Sequence, residues 1–143
     1  MNRMPSAARM RLLVLLADDS EPFRRRVRDH LNKTPDFKPV GEAVNGVECI
    51  RLARQLRPDV VVMDVLMPDL NGIEATRQIK SEFPSIEVIA LSMHGDEGFR
   101  HAMLEAGAST YLLKDNVLHK LPRVLHSIAA ARVTPVLDNA AES

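Results

Sequence analysis

Short runs of mostly apolar residues alternate along the chain with longer segments of helical period. Four of these runs predict strands of a sheet, and the first of them, which is wholly apolar and bounded by charge, suits a strand that is buried on both faces. They are Leu12–Ala17, Val60–Met63, Ile86–Leu91 and Tyr111–Leu113. A fifth run, Phe37–Ala43, contains Pro39, which has no amide hydrogen to donate. We therefore expect this run to form an edge strand.

Apolar residues spaced three or four apart predict a helix after each of the five strands. The first helix opens at Pro22, where a missing amide hydrogen does no harm, because the first amide groups of a helix have no acceptor within it. One face of this helix carries Phe23, Val27 and Leu31. The last helix is expected to run to about Arg132.

Five strands that alternate with five helices predict an α/β fold with a parallel sheet covered on both faces. Right-handed crossovers favour the flavodoxin-like (βα)5 three-layer sandwich with strand order 2-1-3-4-5, which puts the proline-bearing strand at an edge. Residues 11–132 are expected to form this one domain. Residues 1–10 are predicted to be an N-terminal tail, and residues 133–143 a C-terminal tail or the start of a linker.

Pro122 departs from this pattern, because it falls inside the last predicted helix. A proline is harmless there only if the helix starts near Leu118, since only the first amide groups of a helix lack an intrahelical acceptor. Otherwise we expect a kink, which would alter the surface that the helix presents.

The composition narrows the function classes. Of 143 residues, 19 are Lys or Arg and 19 are Asp or Glu, so the formal net charge is zero; this argues against a chain built mainly to bind nucleic acid or an anionic membrane. Cys49 is the one cysteine, which excludes a disulfide framework and a cysteine-rich zinc site. The run Leu12–Ala17 is too short for a signal peptide or a bilayer span, so we expect a cytoplasmic protein without membrane contact.

Polar side chains follow four of the predicted strands. Asp18 and Asp19 follow the first strand, Asp64 the third, Ser92 the fourth and Lys114 the fifth. Ligands of an open parallel sheet bind beyond the carboxyl ends of its strands, so we expect these groups to meet in one crevice. Each of them alone has a simpler explanation, such as a helix N-cap for an aspartate. Their coincidence on one rim is what indicates a functional site.

The chemistry of this set predicts a phosphoryl site with a magnesium ion. Neighbouring carboxylates repel one another and raise each other's pKa, and a hard divalent cation that prefers oxygen ligands, such as Mg²⁺, relieves the repulsion. An ammonium and a hydroxyl opposite the metal would hold the remaining phosphoryl oxygens. One of the carboxylates is also able to act as the nucleophile and form an acyl phosphate.

Motifs that occur together in this order resemble those of the receiver domain of two-component response regulators. They are Ala17–Ser20, Met63–Gly72, Leu91–His94, the pair Gly107-Ala108, and Tyr111–Asp115. The resemblance spans roughly Arg11 to Ala130, and it is strongest to receivers of the NarL/LuxR type, which usually carry a C-terminal helix-turn-helix.

The resemblance implies a role for each acidic residue of the crevice. Asp64 would be the phosphoacceptor. Asp19 and Asp64 would bind Mg²⁺ directly, and Asp18 would act mainly through water. The backbone carbonyl of Leu66 would be the third direct protein ligand.

The resemblance also implies roles for residues around the phosphoryl group. Ser92 and Lys114 would each bind one of its oxygens, and Tyr111 would turn inward once Ser92 moves toward the phosphate. Leu66 and His94 stand where a side chain is able to control the access of water to an acyl phosphate. We hypothesise that Leu66 slows hydrolysis.

A phosphorylation-dependent switch is the function that this resemblance implies. A sensor histidine kinase or a phosphotransfer protein would donate the phosphoryl group. The product would change the surface formed by the fourth helix, the fifth strand and the fifth helix, and that surface would control a partner or an attached effector. The resemblance leaves a homodimer open. We expect no direct nucleic acid binding by the chain itself, because the eleven residues after Arg132 are too few for a helix-turn-helix.

Other functions stay open at this point. The chain is alternatively the receiver fragment of a DNA-binding transcriptional regulator. A magnesium-dependent phosphohydrolase with an aspartyl nucleophile is the enzyme-class alternative, but haloacid-dehalogenase-like enzymes need a second carboxylate where this chain has Leu66. A flavin-binding module would need a phosphate loop where Asp18 and Asp19 would repel a phosphate. We therefore expect a signalling protein rather than an enzyme.

The first predicted helix is locally basic. Its arginines are Arg24, Arg25, Arg26 and Arg28. A solvated face is the simplest interpretation of this cluster, and the docking of a partner kinase is the alternative.

Overall fold

The computed structural model describes residues 11–93 and 97–142. Strands and helices alternate along these residues as the apolar pattern predicts. The strands are β1 (Leu12–Ala17), β2 (Phe37–Ala43), β3 (Val60–Asp64), β4 (Glu87–Ser92) and β5 (Thr110–Leu113). The helices are α1 (Glu21–Leu31), α2 (Gly46–Leu56), α3 (Gly72–Glu82), α4 (Glu97–Ala106) and α5 (Val117–Glu142), and a short 3₁₀ helix, Lys114–Asn116, precedes α5.

The five strands form one parallel sheet in the order β2-β1-β3-β4-β5. This order confirms the flavodoxin-like prediction, with β2 at an edge. Pro39 pairs with Val14, and the register then shifts by one residue so that Leu15 pairs with Gly41. The strand that cannot use all of its amide groups therefore lies where one side of its ladder is unpaired, and its irregularity follows directly after the proline.

Alternation along the strands divides the apolar side chains into two cores, one on each face of the sheet. Leu16 and Val62 belong to the core shared with α1 and α5, whereas Leu15 and Met63 belong to the core shared with α2, α3 and α4. Because side chains of a strand alternate with a period of two, a residue just beyond a strand continues the face of the residue two positions before it. This rule decides which polar side chains meet at the carboxyl edge.

Close backbone contacts fix the loop between β3 and α3. The amide of Gly72 donates to the carbonyl of Val65 at 2.9 Å, and the amide of Gly46 donates to the carbonyl of Leu70 at 2.9 Å. A Cβ atom on Gly72 would lie 2.2 Å from the carbonyl oxygen of Asp64, and one on Gly46 would lie 2.2 Å from that of Leu70. Glycine is needed at both positions because the backbones approach too closely for a side chain.

The two ends of helix α5 test the predictions made for Pro122 and for the end of the last helix near Arg132. It begins at Val117, one residue before the start that the argument from Pro122 required, and it continues past the proline. It also extends to Glu142, beyond the expected end near Arg132. The guanidinium of Arg132 donates to the carbonyls of Asp59 at 3.1 Å and Ser85 at 2.7 Å, which ties the helix to the amino edge of the sheet.

Candidate functional site

The strand register brings the predicted polar residues to one end of the sheet. Asp18 follows Ala17, which pairs with Met63, so Asp18 and Asp64 end neighbouring strands at the same level. Asp64 pairs with Leu91, and Ser92 pairs with Leu113, which directly precedes Lys114. The predicted crevice is therefore assembled at the carboxyl edge by the ladder itself.

The three aspartates form a tight cluster. One carboxylate oxygen from each of Asp18, Asp19 and Asp64 lies within 4.8 Å of the other two. Asp18 and Asp64 are buried, whereas Asp19 is exposed. Amide groups of the adjoining loops orient the two buried carboxylates: Ser20 N–H donates to Asp18 Oδ1 at 2.8 Å, and Leu66 N–H donates to Asp64 Oδ1 at 3.4 Å.

Lys114 supplies the positive charge of the cluster. Its Nζ lies 2.5 Å from Asp18 Oδ2 and 3.3 Å from Asp64 Oδ2, so the ammonium bridges the two buried carboxylates. The same Nζ lies 4.5 Å from the centroid of the Phe23 ring, a distance that allows a cation–π contact. Asp18, Asp64 and Lys114 share the face of the α1 and α5 core, which explains why these side chains meet.

The charges of the cluster shift two pKa values. Burial, and next the negative charge of Asp18, raise the pKa of Asp64 from 3.8 to about 6, although Lys114 and the Leu66 amide act against this rise. Burial lowers the pKa of Lys114, but its contacts with Asp18 and Asp64 outweigh that effect, and its pKa lies above the ordinary value. The crevice therefore holds an ammonium and a carboxylate that is costly to ionise.

The donor set fits a small hard cation. Asp18 Oδ2 is buried and, within the described part of the chain, accepts no hydrogen bond of acceptable geometry, although Lys114 lies close to it. Three carboxylates that supply oxygen ligands within so short a span suit Mg²⁺ better than a softer metal.

Comparison with known proteins decides the family of the chain. The family model for the response regulator receiver domain matches residues 14–126. The chain belongs to the response regulator receiver family. The transcriptional regulatory protein DegU of Brevibacillus brevis is 37% identical over 105 residues, which cover 73% of the chain and 44% of DegU. The response regulator protein VraR of Staphylococcus aureus is 39% identical over 105 residues, which cover 73% of the chain and 50% of VraR.

The chain thus spans about half the length of the curated relatives it matches. Two solved structures match a larger share of this chain than these curated relatives do. A LuxR-family two-component response regulator from Aurantimonas sp. SI85-9A1 superposes with a TM-score of 0.79 at 33% identity, covering 85% of this chain and 86% of that one. The receiver domain of NarL from Mycobacterium tuberculosis has a TM-score of 0.79 at 27% identity, covering 84% and 97%. These relatives confirm the resemblance to receivers of the NarL/LuxR type.

Tyr111 and Leu66 are the other predicted site residues that fall within the described part of this receiver. Tyr111 is half-buried against the core shared with α2, α3 and α4, and it pairs with Ala90, two residues before Ser92. Tyr111 and Ser92 therefore share one face of the sheet. The side chain of Leu66 is 57% exposed at the rim. His94 lies outside the described residues, so its tuning role stays a prediction from the sequence.

Arg24 is the residue of this region that sequence reasoning misjudged. A solvated basic face was expected, but Arg24 is 8% exposed, and its Nη1 donates to the carbonyl of Asp18 at 2.6 Å. Its Nε donates to Glu42 Oε1 at 2.8 Å, and Arg28 Nη1 donates to Glu42 Oε2 at 2.8 Å. The available signal was the i, i+4 spacing of Arg24 and Arg28 beside the apolar stripe of the helix, together with the carboxylate of Glu42 in the edge strand.

We predict that Asp64→Asn stabilises the metal-free receiver near neutral pH. The raised pKa means that the folded protein resists ionisation of Asp64, so stability is lost as the pH rises from about 4 through about 6. Removing the charge should therefore raise the free energy of unfolding by about 2 to 3 kcal/mol near pH 7 and by much less near pH 4. Urea unfolding with a chelator present measures this difference.

Asp29→Asn is the control, because Asp29 is an exposed residue of α1 outside the cluster. A gain for Asp64→Asn that stayed constant between the two pH values, or a loss near neutral pH, would contradict the raised pKa.

Proposed function

We propose that this receiver is a phosphorylation-dependent signalling switch, which accepts a phosphoryl group on Asp64 in a Mg²⁺-dependent reaction. The donor would be the phosphohistidine of a sensor histidine kinase or a phosphotransfer protein. The observation that carries the proposal is the buried carboxylate of Asp64 beside two further carboxylates and the Lys114 ammonium. Membership of the receiver family supports the same reaction.

The nucleophile needs no general base in this reaction. With a pKa of about 6, Asp64 is largely ionised near neutral pH, yet burial leaves its carboxylate poorly solvated. One of its oxygens forms a bond to phosphorus while the bond from phosphorus to the histidine nitrogen breaks, and the electron pair of that bond leaves with the imidazole. The product is an acyl phosphate on Asp64.

Charge stabilisation is divided among the other residues of the crevice. Asp18, Asp19, Asp64 and the carbonyl of Leu66 would hold Mg²⁺, which supplies positive charge to phosphoryl oxygens. Lys114 would pair with another phosphoryl oxygen, because its ammonium already lies 3.3 Å from Asp64 Oδ2. The hydroxyl of Ser92, at the end of the neighbouring strand, would bind a further oxygen.

The output surface in this proposal is formed by α4, β5 and α5. Movement of Ser92 toward the phosphoryl group would leave space for Tyr111, which lies on the same face of the sheet. The altered surface would control a partner or an attached effector, or form a homodimer. Since the relatives DegU and VraR are about twice as long as the matched segment and DegU is a transcriptional regulatory protein, we favour an attached effector that acts in transcription.

The alternative enzyme function is that of a phosphohydrolase, and one side chain of the crevice argues against it. Position 66, two residues after the nucleophile, holds the exposed apolar side chain of Leu66 instead of a carboxylic acid. That side chain is unable to protonate a leaving group. We therefore propose a signalling receiver whose chemistry is limited to its own phosphorylation and dephosphorylation.

The location of the chain stays a prediction from its sequence. In residues 11–93 and 97–142, none of the helices has the length and apolar character needed to cross a membrane. A cytoplasmic histidine kinase domain as donor would require this receiver in the same compartment.

We predict that incubation with acetyl phosphate and Mg²⁺ adds one phosphoryl group, about 80 Da, to the intact protein. Asp64→Asn should show no gain, because it removes the nucleophile. Lys114→Met should react far more slowly, because it removes the positive charge opposite the metal. Intact-mass spectrometry measures the gain directly.

Asp29→Asn is the control in this experiment as well and should gain the same mass as the wild type. A gain in mass that persists in Asp64→Asn would refute Asp64 as the acceptor. The absence of any gain in the wild type, together with failure to bind beryllofluoride, would refute a working phosphoacceptor.

We predict that Leu66→Asn shortens the lifetime of the acyl phosphate several-fold. The leucine presents an apolar surface beside the phosphorylated carboxylate, whereas an amide is able to hold an attacking water. The decay of the phosphorylated mass after removal of the donor gives the rate. Val47→Asn, at an exposed position in the first turn of α2, is the matched control, and an unchanged or slower decay for Leu66→Asn would refute the idea.

A further inference from the structure

A buried arginine connects the acidic cluster to the edge strand. Arg24, in the first turn of α1, donates from Nη1 to the backbone carbonyl of Asp18 at 2.6 Å and from Nε to Glu42 Oε1 at 2.8 Å. Burying a guanidinium is costly unless all of its partners are in place, so a position that is 8% exposed needs a reason. Neither contact involves a group that the proposed phosphoryl transfer uses directly.

We propose that Arg24, held by Glu42, is a positioning residue that fixes the peptide between Asp18 and Asp19 so that both carboxylates are set for Mg²⁺. The inference rests on the proposed function, because it concerns the metal of that site. It adds the claim that the affinity for Mg²⁺ also depends on Arg24, which is not itself a metal ligand.

The other contacts of Asp18 show why the hydrogen bond from Arg24 to its carbonyl affects the position of Asp19. Its side chain is held by the Ser20 amide and by Lys114, and its own amide donates to the carbonyl of Ala43 at 3.0 Å. The carbonyl of Asp18 belongs to the peptide that joins it to Asp19. Arg24 holds this carbonyl, and rotation of the peptide would move the exposed Asp19 relative to the other two carboxylates.

Glu42 makes this contact compatible with a cation site. A guanidinium without its own carboxylate partner would pair with the aspartates of the cluster and so compete with a metal ion for binding to them. Burial opposes ionisation of Glu42, but its hydrogen bonds to Arg24 and Arg28 outweigh that effect and hold its pKa below the ordinary value. The carboxylate of Glu42 therefore both balances the charge of Arg24 and fixes the direction of its guanidinium.

The test compares metal affinity with fold stability. Arg24→Met should weaken Mg²⁺ binding about tenfold, which is the usual size of an effect from a residue that orients metal ligands. Glu42→Gln should weaken it in the same direction, and Arg24→Lys should recover part of the loss. Calorimetric titration with Mg²⁺ alone gives the affinity, and urea unfolding in the presence of a chelator gives the stability. The rate of phosphorylation at saturating Mg²⁺ should change little, while the Mg²⁺ concentration at half the maximal rate rises.

Arg54→Met is the matched control. Arg54 also makes a two-pronged ion pair that joins two elements, with bonds of 2.8 and 2.6 Å to Glu82, but it lies near the carboxyl ends of the helices, away from the cluster. A purely structural role of Arg24 would lower the free energy of unfolding and leave the Mg²⁺ affinity of Arg24→Met, Arg24→Lys and Glu42→Gln equal to that of Arg54→Met. That result would overturn the inference.

Failure of the positioning role and failure of the proposed function would give different results. If Arg24→Met does not fold, Arg24→Lys and Glu42→Gln decide the question by the same titration. A wild-type protein that bound no Mg²⁺ and gained no phosphoryl group would refute the proposed function itself. A wild type that did both, with unchanged affinity in the Arg24 and Glu42 variants, would refute the positioning role alone.

Discussion

The repulsion among three carboxylates at the carboxyl edge of the sheet is the constraint on which the rest of the site depends. Two of these carboxylates are buried, and Lys114, 2.5 Å from Asp18 and 3.3 Å from Asp64, offsets part of their charge. The remaining cost appears as a pKa of about 6 for Asp64. A crevice with this charge balance gains stability from an added cation, and the proposed phosphoryl transfer would use that cation to offset the charge of the phosphoryl group.

The first turn of α1 organises both signs of charge in this crevice. Phe23 lies against the ammonium of Lys114, and Arg24 holds the backbone of Asp18. The N-cap of the same helix, Ser20, donates its amide to the carboxylate of Asp18. A helix whose arginines suggest a solvated surface therefore acts through its start as a support for the acidic cluster.

Much of the fold and of the crevice follows from the sequence, because it depends on local patterns. Pro39 is sufficient to place β2 at an edge, and the strand ends are sufficient to bring Asp18, Asp64 and Lys114 together. The burial of Arg24 was not predictable in this way, since its partner Glu42 is fixed by the neighbouring edge strand and not by the helix pattern. Alternation along β1 does separate the two neighbouring aspartates, since Asp18 continues the face of Leu16 and Asp19 that of Ala17.

The most direct measurement is the titration of the Asp64 side-chain carboxyl carbon by nuclear magnetic resonance in the metal-free protein, with Asp64→Asn for assignment. The charge balance of the crevice predicts a pKa of about 6 and a lower value once Mg²⁺ is added. A pKa in the ordinary range of an exposed aspartate, unaffected by Mg²⁺, would contradict the central claim that burial and like charge hold Asp64 ready for a cation and a phosphoryl group.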